Sequence, residues 1–116
     1  MMEAKPGATT AGAPSRIYVI RTGSGEKRAV PPVAIAQAKS ADVPFEMVCL
    51  APGWEITAIT CDHPRITYDA KTRLMTVPQG TDPGYYEYEI TLSNLANRTL
   101  TECVQGNSSP GVLVDP

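Results

Sequence analysis

Histidine, tryptophan and phenylalanine each occur once in this sequence, and the three cysteines, at 49, 61 and 103, stand far apart with no CxxC pair among them. A zinc site needs three or four nitrogen and sulfur ligands, so the lone His63 beside Asp62 leads to none, and neither a metal nor a cofactor is expected. Positive charge is equally thin. Ten Lys and Arg against twelve Asp and Glu leave a net charge of −2 with no basic stripe, which excludes a surface that tracks nucleic-acid phosphates. No apolar run reaches the ~20 residues of a membrane-spanning helix, and the opening MMEAKPGATTAGAPS lacks the apolar middle of a secretory signal. No membrane contact is expected, and the chain is placed in the cytoplasm. In that compartment the cysteines read as buried thiols, with a Cys49–Cys61 pairing as the alternative if the protein is exported.

Room for helices is also lacking. Eleven prolines in 116 residues, about twice the usual ~5%, fall between the apolar runs and interrupt any helix longer than two turns. What remains is a set of short alternating segments. RIYVIR places Ile17 and Val19 on one face, and VPPVAIAQA, which Pro31 and Pro32 confine to a sheet edge or a strand entrance, reads as a strand, with one or two helical turns over PVAIAQAK as the alternative. VPFEMVCL aligns Val43, Phe45, Met47 and Cys49, and APG then turns the chain. In WEITAITC the inward parity switches after Ala58, which predicts a β-bulge there. RITYDAKTRLMTV reads as a hairpin, and LTECV and VLV as late strands around the turn QGNSSPG. The clearest element is YYEYEITL, with Tyr86, Tyr88, Ile90 and Leu92 on a core face and Tyr85, Glu87, Glu89 and Thr91 on a wet one.

Strands every 8 to 12 residues with turns between them predict an all-β fold, an antiparallel β-sandwich of about seven or eight strands. Residues 1–15, rich in Ala, Gly, Thr and Pro, are expected to be a flexible N-terminal tail, and residues 16–116 one domain. The expected core is Ile17, Val19, Phe45, Met47, Trp54, Ile56, Leu74, Tyr86, Tyr88, Ile90 and Leu92. TDPGYYEY resembles the tyrosine corner of immunoglobulin-like domains, with Asp82, Gly84 and Tyr86 at its defining positions. Tyr88 stands where the second cysteine of an antibody domain would be, and Trp54 follows Cys49 too closely for that family's spacing.

Three constellations invite a chemical reading. Cys61 and His63, two apart on a strand, share a face as a nucleophile and base would, yet no glycine-rich oxyanion turn flanks them, and a buried thiol beside a turn histidine is the plainer account. Glu87 and Glu89 have the spacing of paired carboxylates, but with no aromatic sugar platform they read as a solvated sheet face. The third is the pair of aspartyl-prolyl bonds. An Asp carboxylate can attack its own backbone carbonyl, and the prolyl nitrogen leaves readily once protonated. Asp82-Pro83 sits in a Gly and Pro turn, whereas Asp115-Pro116 follows three apolar residues that carry it to the core's edge.

PGYYEYEITLSN followed by VDP, together with VPFEMVCLAPGWEITAI, resembles the small bacterial DP-EP family. The resemblance implies a β-sandwich with a late Asp-Pro bond, self-cleaving in at least one branch in an aspartic-peptidase-like manner, and it would assign that role to Asp115 and Pro116. Since no catalytic constellation outweighs its plainer reading, the expected function is a non-enzymatic interaction module that meets a protein partner, or another copy of itself, through an exposed sheet face or edge. The alternative is self-processing at Asp115-Pro116, with Asp115 as nucleophile.

Overall fold

The computed structural model describes residues 14–104 and 109–116. Residues 1–13 of the expected tail and residues 105–108 of the expected QGNSSPG turn lie outside the described residues, while Ser15 already belongs to the first strand. The described residues form an all-β structure: β1 (Ser15–Arg21), β2 (Lys27–Val30), β3 (Val33–Ala36), β4 (Val43–Cys49), β5 (Trp54–Cys61), β6 (Thr67–Asp69), β7 (Leu74–Val77), β8 (Gly84–Asn94), β9 (Thr101–Val104) and β10 (Gly111–Val114).

One sheet runs β2-β1-β4-β7-β6. The other is organised around β8, which is long enough to serve three partners: β5 along one edge, and β9 and then β10 along the opposite edge, with β3 completing the sheet beyond β10. The two edges of β8 are told apart by its main chain. Glu87 O accepts from Asp62 N–H at 2.9 Å on the β5 side, while the next residue, Tyr88, donates its N–H to Pro110 O at 3.0 Å on the β10 side.

The expectation of a purely antiparallel structure needs correction. β1 lies parallel to β4, with Ile17 opposite Met47, and β3 lies parallel to β10, with Ile35 opposite Leu113. Turn chemistry predicts neighbours that are close in sequence, and both of these pairs join strands separated by other elements. Ten strands are present among the described residues instead of seven or eight. One that pattern reading overlooks is β2, whose Lys-Arg-Ala-Val has only Ala29 to turn inward.

Both sheets feed one buried cluster. Ile17, Val19, Phe45, Met47, Met75 and Val77 enter from the first sheet, and Ala34, Ala36, Tyr88, Ile90, Leu92, Val104, Val112 and Val114 from the second. Burying a Val, Leu, Ile, Phe or Met side chain contributes roughly 1.5–3 kcal/mol, so these facing rows are the main source of stability. Trp54, Ile56 and Tyr86 pack against the cluster while only partly buried. Leu74 is displaced from its expected core position: β7 turns Met75 and Val77 inward, because Leu-Met-Thr-Val is apolar at both parities and alternation alone cannot choose a face.

Local chemistry explains the connections. Gly53 sits at φ 81°, which a turn with Pro52 before it demands, and Trp54 N–H closes the turn on Ala51 O at 3.3 Å. The bulge expected near Ala58 lies just before it, between Ile56 and Ala58, and the Thr57 hydroxyl there donates to Thr91 O at 3.3 Å. The chain crosses between sheets at Pro31 and Pro32, where a missing N–H leaves no ladder bond unmade.

Candidate functional site

Two of the three chemical constellations suggested by the sequence resolve into specific contacts. His63 accepts the Arg65 N–H on Nδ1 at 3.1 Å, which leaves Nε2 as the protonated nitrogen. Its ring meets Tyr86 edge to face, with centroids 4.9 Å apart at 83°. The histidine therefore shapes the turn after β5, and its Nδ1 is committed to the backbone. Burial pushes the Cys61 thiol pKa up, the reverse of what a thiolate nucleophile needs.

Cys49, Cys61 and Cys103 are all free thiols, and the expectation that they are buried is corrected: Cys103 is exposed and the other two are half-buried. Cys49 Sγ contacts Trp54 O at 3.3 Å, at the start of β5, whereas Cys61 closes the same strand. Seven residues of extended chain, roughly 20 Å, separate the two ends, far beyond disulfide reach. Burial raises the Cys49 pKa as well. Among the described residues no group of three or more His, Cys, Asp and Glu is placed to hold a metal ion, and no helix is long and apolar enough to cross a membrane.

Asp115 follows β10 directly. Its N–H donates to Ala36 O at 2.9 Å, extending the β3–β10 ladder, and its Oδ2 accepts from Gln37 Nε2 at 3.3 Å. Asp115 is half-buried and Pro116 exposed. At the other aspartyl-prolyl bond, Asp82 O accepts the Tyr86 hydroxyl at 2.8 Å, and Gly84 leaves room for it: a Cβ there would come within 3.2 Å of that oxygen. Glu87 is exposed and Glu89 half-buried.

A cleft of about 630 Å³ opens where the end of β4, the start of β5 and the β6–β7 turn meet, with Trp54 and Tyr68 among its walls. Three of its four charged side chains pair up, Arg16 Nε with Glu46 Oε1 at 3.0 Å and Glu55 with Arg98 from outside the cleft, while Arg73 makes no side-chain ion pair or hydrogen bond among the described residues. Burial raises the Tyr68 phenol pKa. Beside Trp54, Lys27 reaches from β2 across to the other sheet, with Nζ 2.8 Å from Glu102 Oε1 and 4.4 Å from the Trp54 ring centroid.

The surface that stands out is on the opposite side of the second sheet. Tyr85, Leu113 and Ile35 lie in one row across β8, β10 and β3, set by the registers Leu113↔Tyr85 and Leu113↔Ile35. Val33, Gly111 and Glu87 form the next row. Tyr85 is 49% exposed, Ile35 60%, Val33 43% and Leu113 39%, so four large apolar side chains face solvent on adjoining strands. The Tyr85 ring lies across Gly111, where an added Cβ would overlap its hydroxyl and ring carbons. Glycine here lets an aromatic ring lie flat over the sheet.

Alternation in YYEYEITL does assign Tyr85 to the outer face. Its sharing a row with Ile35 was not foreseeable, because nothing local specifies the parallel β3–β10 pair. Neither the protein-family models nor the curated proteins compared with this chain match it.

Proposed function

We propose that the chain is an immunoglobulin-like β-sandwich that works as a non-enzymatic interaction module, using the outer face of β8, β10 and β3 as its contact surface. The strand pairing supports the fold: β4 with β7 and β6 in one sheet, and β5, β8 and β9/β10 in the other, follow the B-E-D and C-F-G order of such domains. The Tyr86–Asp82 hydrogen bond supplies their tyrosine corner. β3 occupies the place of a first strand that has crossed to the second sheet.

The function rests on one observation, the exposed row Tyr85–Leu113–Ile35 with Val33 beside it. Single exposed apolar residues are ordinary, but four adjoining ones on three strands form a patch of the kind used for association. An aromatic ring lying flat at its centre is the residue type that anchors protein contacts. The test compares wild-type bait with Tyr85→Ser/Leu113→Ser bait in affinity capture from the source cells, identifying bound proteins by mass spectrometry, this chain's own copies included. Binding present in the wild type and lost in the double variant is expected. Equal recovery by both baits overturns the reading.

A further inference from the structure

We propose that β3 is a homodimerisation strand, pairing antiparallel with β3 of a second copy of this chain about a two-fold axis through Ala34. This deepens the interaction-module reading and rests on it. Gly111 N–H donates to Pro32 O and Asp115 N–H to Ala36 O, both at 2.9 Å, so residues 32, 34 and 36 direct their main-chain groups toward β10. Strand alternation then turns the N–H and C=O of Val33 and Ile35 outward, along an edge with no strand partner among the described residues. Two donors and two acceptors in a row are the groups that an added β-strand pairs in register.

Antiparallel pairing allows that strand to be a second copy of β3. With Ala34 opposite its counterpart, Val33 of each copy faces Ile35 of the other as a hydrogen-bonded pair, and both outward donors and both acceptors on each side are used. On the outer face each Val33 side chain meets the other copy's Ile35, which joins the two Tyr85–Leu113–Ile35 rows into one apolar strip. Ala34 and Ala36 point into the core, 4% and 0% exposed, and do not obstruct the contact.

Charge distinguishes this edge from the others. Edge strands are commonly protected by charged side chains that oppose pairing. Here β2 carries Lys27 and Arg28, β5 Glu55, β6 Asp69 and β9 Glu102, while Val-Ala-Ile-Ala of β3 carries no charge. Its four residues are too few to template a fibre, and the prolines before it stop the ladder, so the pairing closes as a dimer.

Sedimentation equilibrium on the full chain from about 10 to about 500 μM tests this, a range suited to a small interface. The mass should rise from 12.4 kDa toward twice that value. Ile35→Pro removes an outward N–H without touching a bond to β10, and Ile35→Lys sets two ammonium groups near the axis. Each should weaken association at least about tenfold, a loss of roughly 1.4 kcal/mol or more. Ile35→Lys keeps the test decisive if the proline variant does not fold. Leu100→Lys, on the connection between β8 and β9, should leave association unchanged. A constant 12.4 kDa mass, or a dimer that survives both Ile35 variants, overturns the proposal. If the chain stays monomeric yet captures a different protein through Tyr85 and Leu113, only the second copy is lost as partner. If that capture also fails, the interaction-module reading falls with it.

Discussion

The edge where β2 approaches β9 and the edge formed by β3 belong to the same pair of sheets and treat exposure in opposite ways. At the first, Lys27 lies with its stem buried, its side chain only 10% exposed, and its ammonium between Glu102 and the Trp54 ring. One side chain thus joins β2 of the first sheet to β5 and β9 of the second. At the other edge β3 presents aliphatic side chains and open main-chain groups to solvent. Where a lysine could be neutralised, burial and charge close the sandwich. Where no charge is present, the sheet is left able to continue.

Trp54→Ala should break the closed edge most severely, removing both the surface under Lys27 and a half-buried ring, at about 2–3 kcal/mol in denaturant titration. Lys27→Ala follows at about 1–2 kcal/mol, since the ion pair is half in solvent through Glu102 and much of the loss is stem packing. Lys27→Met, which keeps the stem, should recover most of it.

Between the two edges, Tyr88 of β8 offers a smaller effect of opposite sign. Its hydroxyl is buried with no hydrogen-bond partner among the described residues, so Tyr88→Phe should be neutral or stabilising by up to about 1 kcal/mol. Burial also raises the Tyr88 phenol pKa above its unfolded value of about 10. Its contribution is fully present below that pH and is lost as pH rises toward the folded-state value, because the unfolded chain then releases the proton first. Urea midpoints across alkaline pH should fall less steeply in Tyr88→Phe than in the wild type, and identical slopes would contradict this account.

At the open edge stability should scarcely respond: Ile35→Ser is expected to stay within about 0.5 kcal/mol of wild type while association drops. The smallest effect belongs to Asp115→Ala, which loses only the exposed Gln37 contact and keeps the main-chain bond to Ala36. Intact mass after days of incubation should be constant in both the wild type and this variant. Loss of mass beyond Asp115 in the wild type alone would instead favour self-processing.

Much of this molecule is legible in the order of its residues. Alternation in YYEYEITL specifies which side chains of β8 are buried, Pro52–Gly53 specifies a turn, and the parity switch in WEITAITC locates a bulge, since each depends on neighbours within a few bonds. The same alternation is silent where both parities are apolar, as at Leu74 and Met75, and where the inward residue is alanine, as in β2.

The longer alternating strands and the two faces of β8 were therefore determined by the sequence itself, through the two-residue period of an extended backbone. The tertiary structure alone decided that β3 would lie parallel to β10, that Leu113 would stand between Ile35 and Tyr85, and that an uncharged strand would end the sheet. Those outcomes depend on which strands come together across tens of residues, and the competition for partners in a shared core, not any local pattern, selects among them.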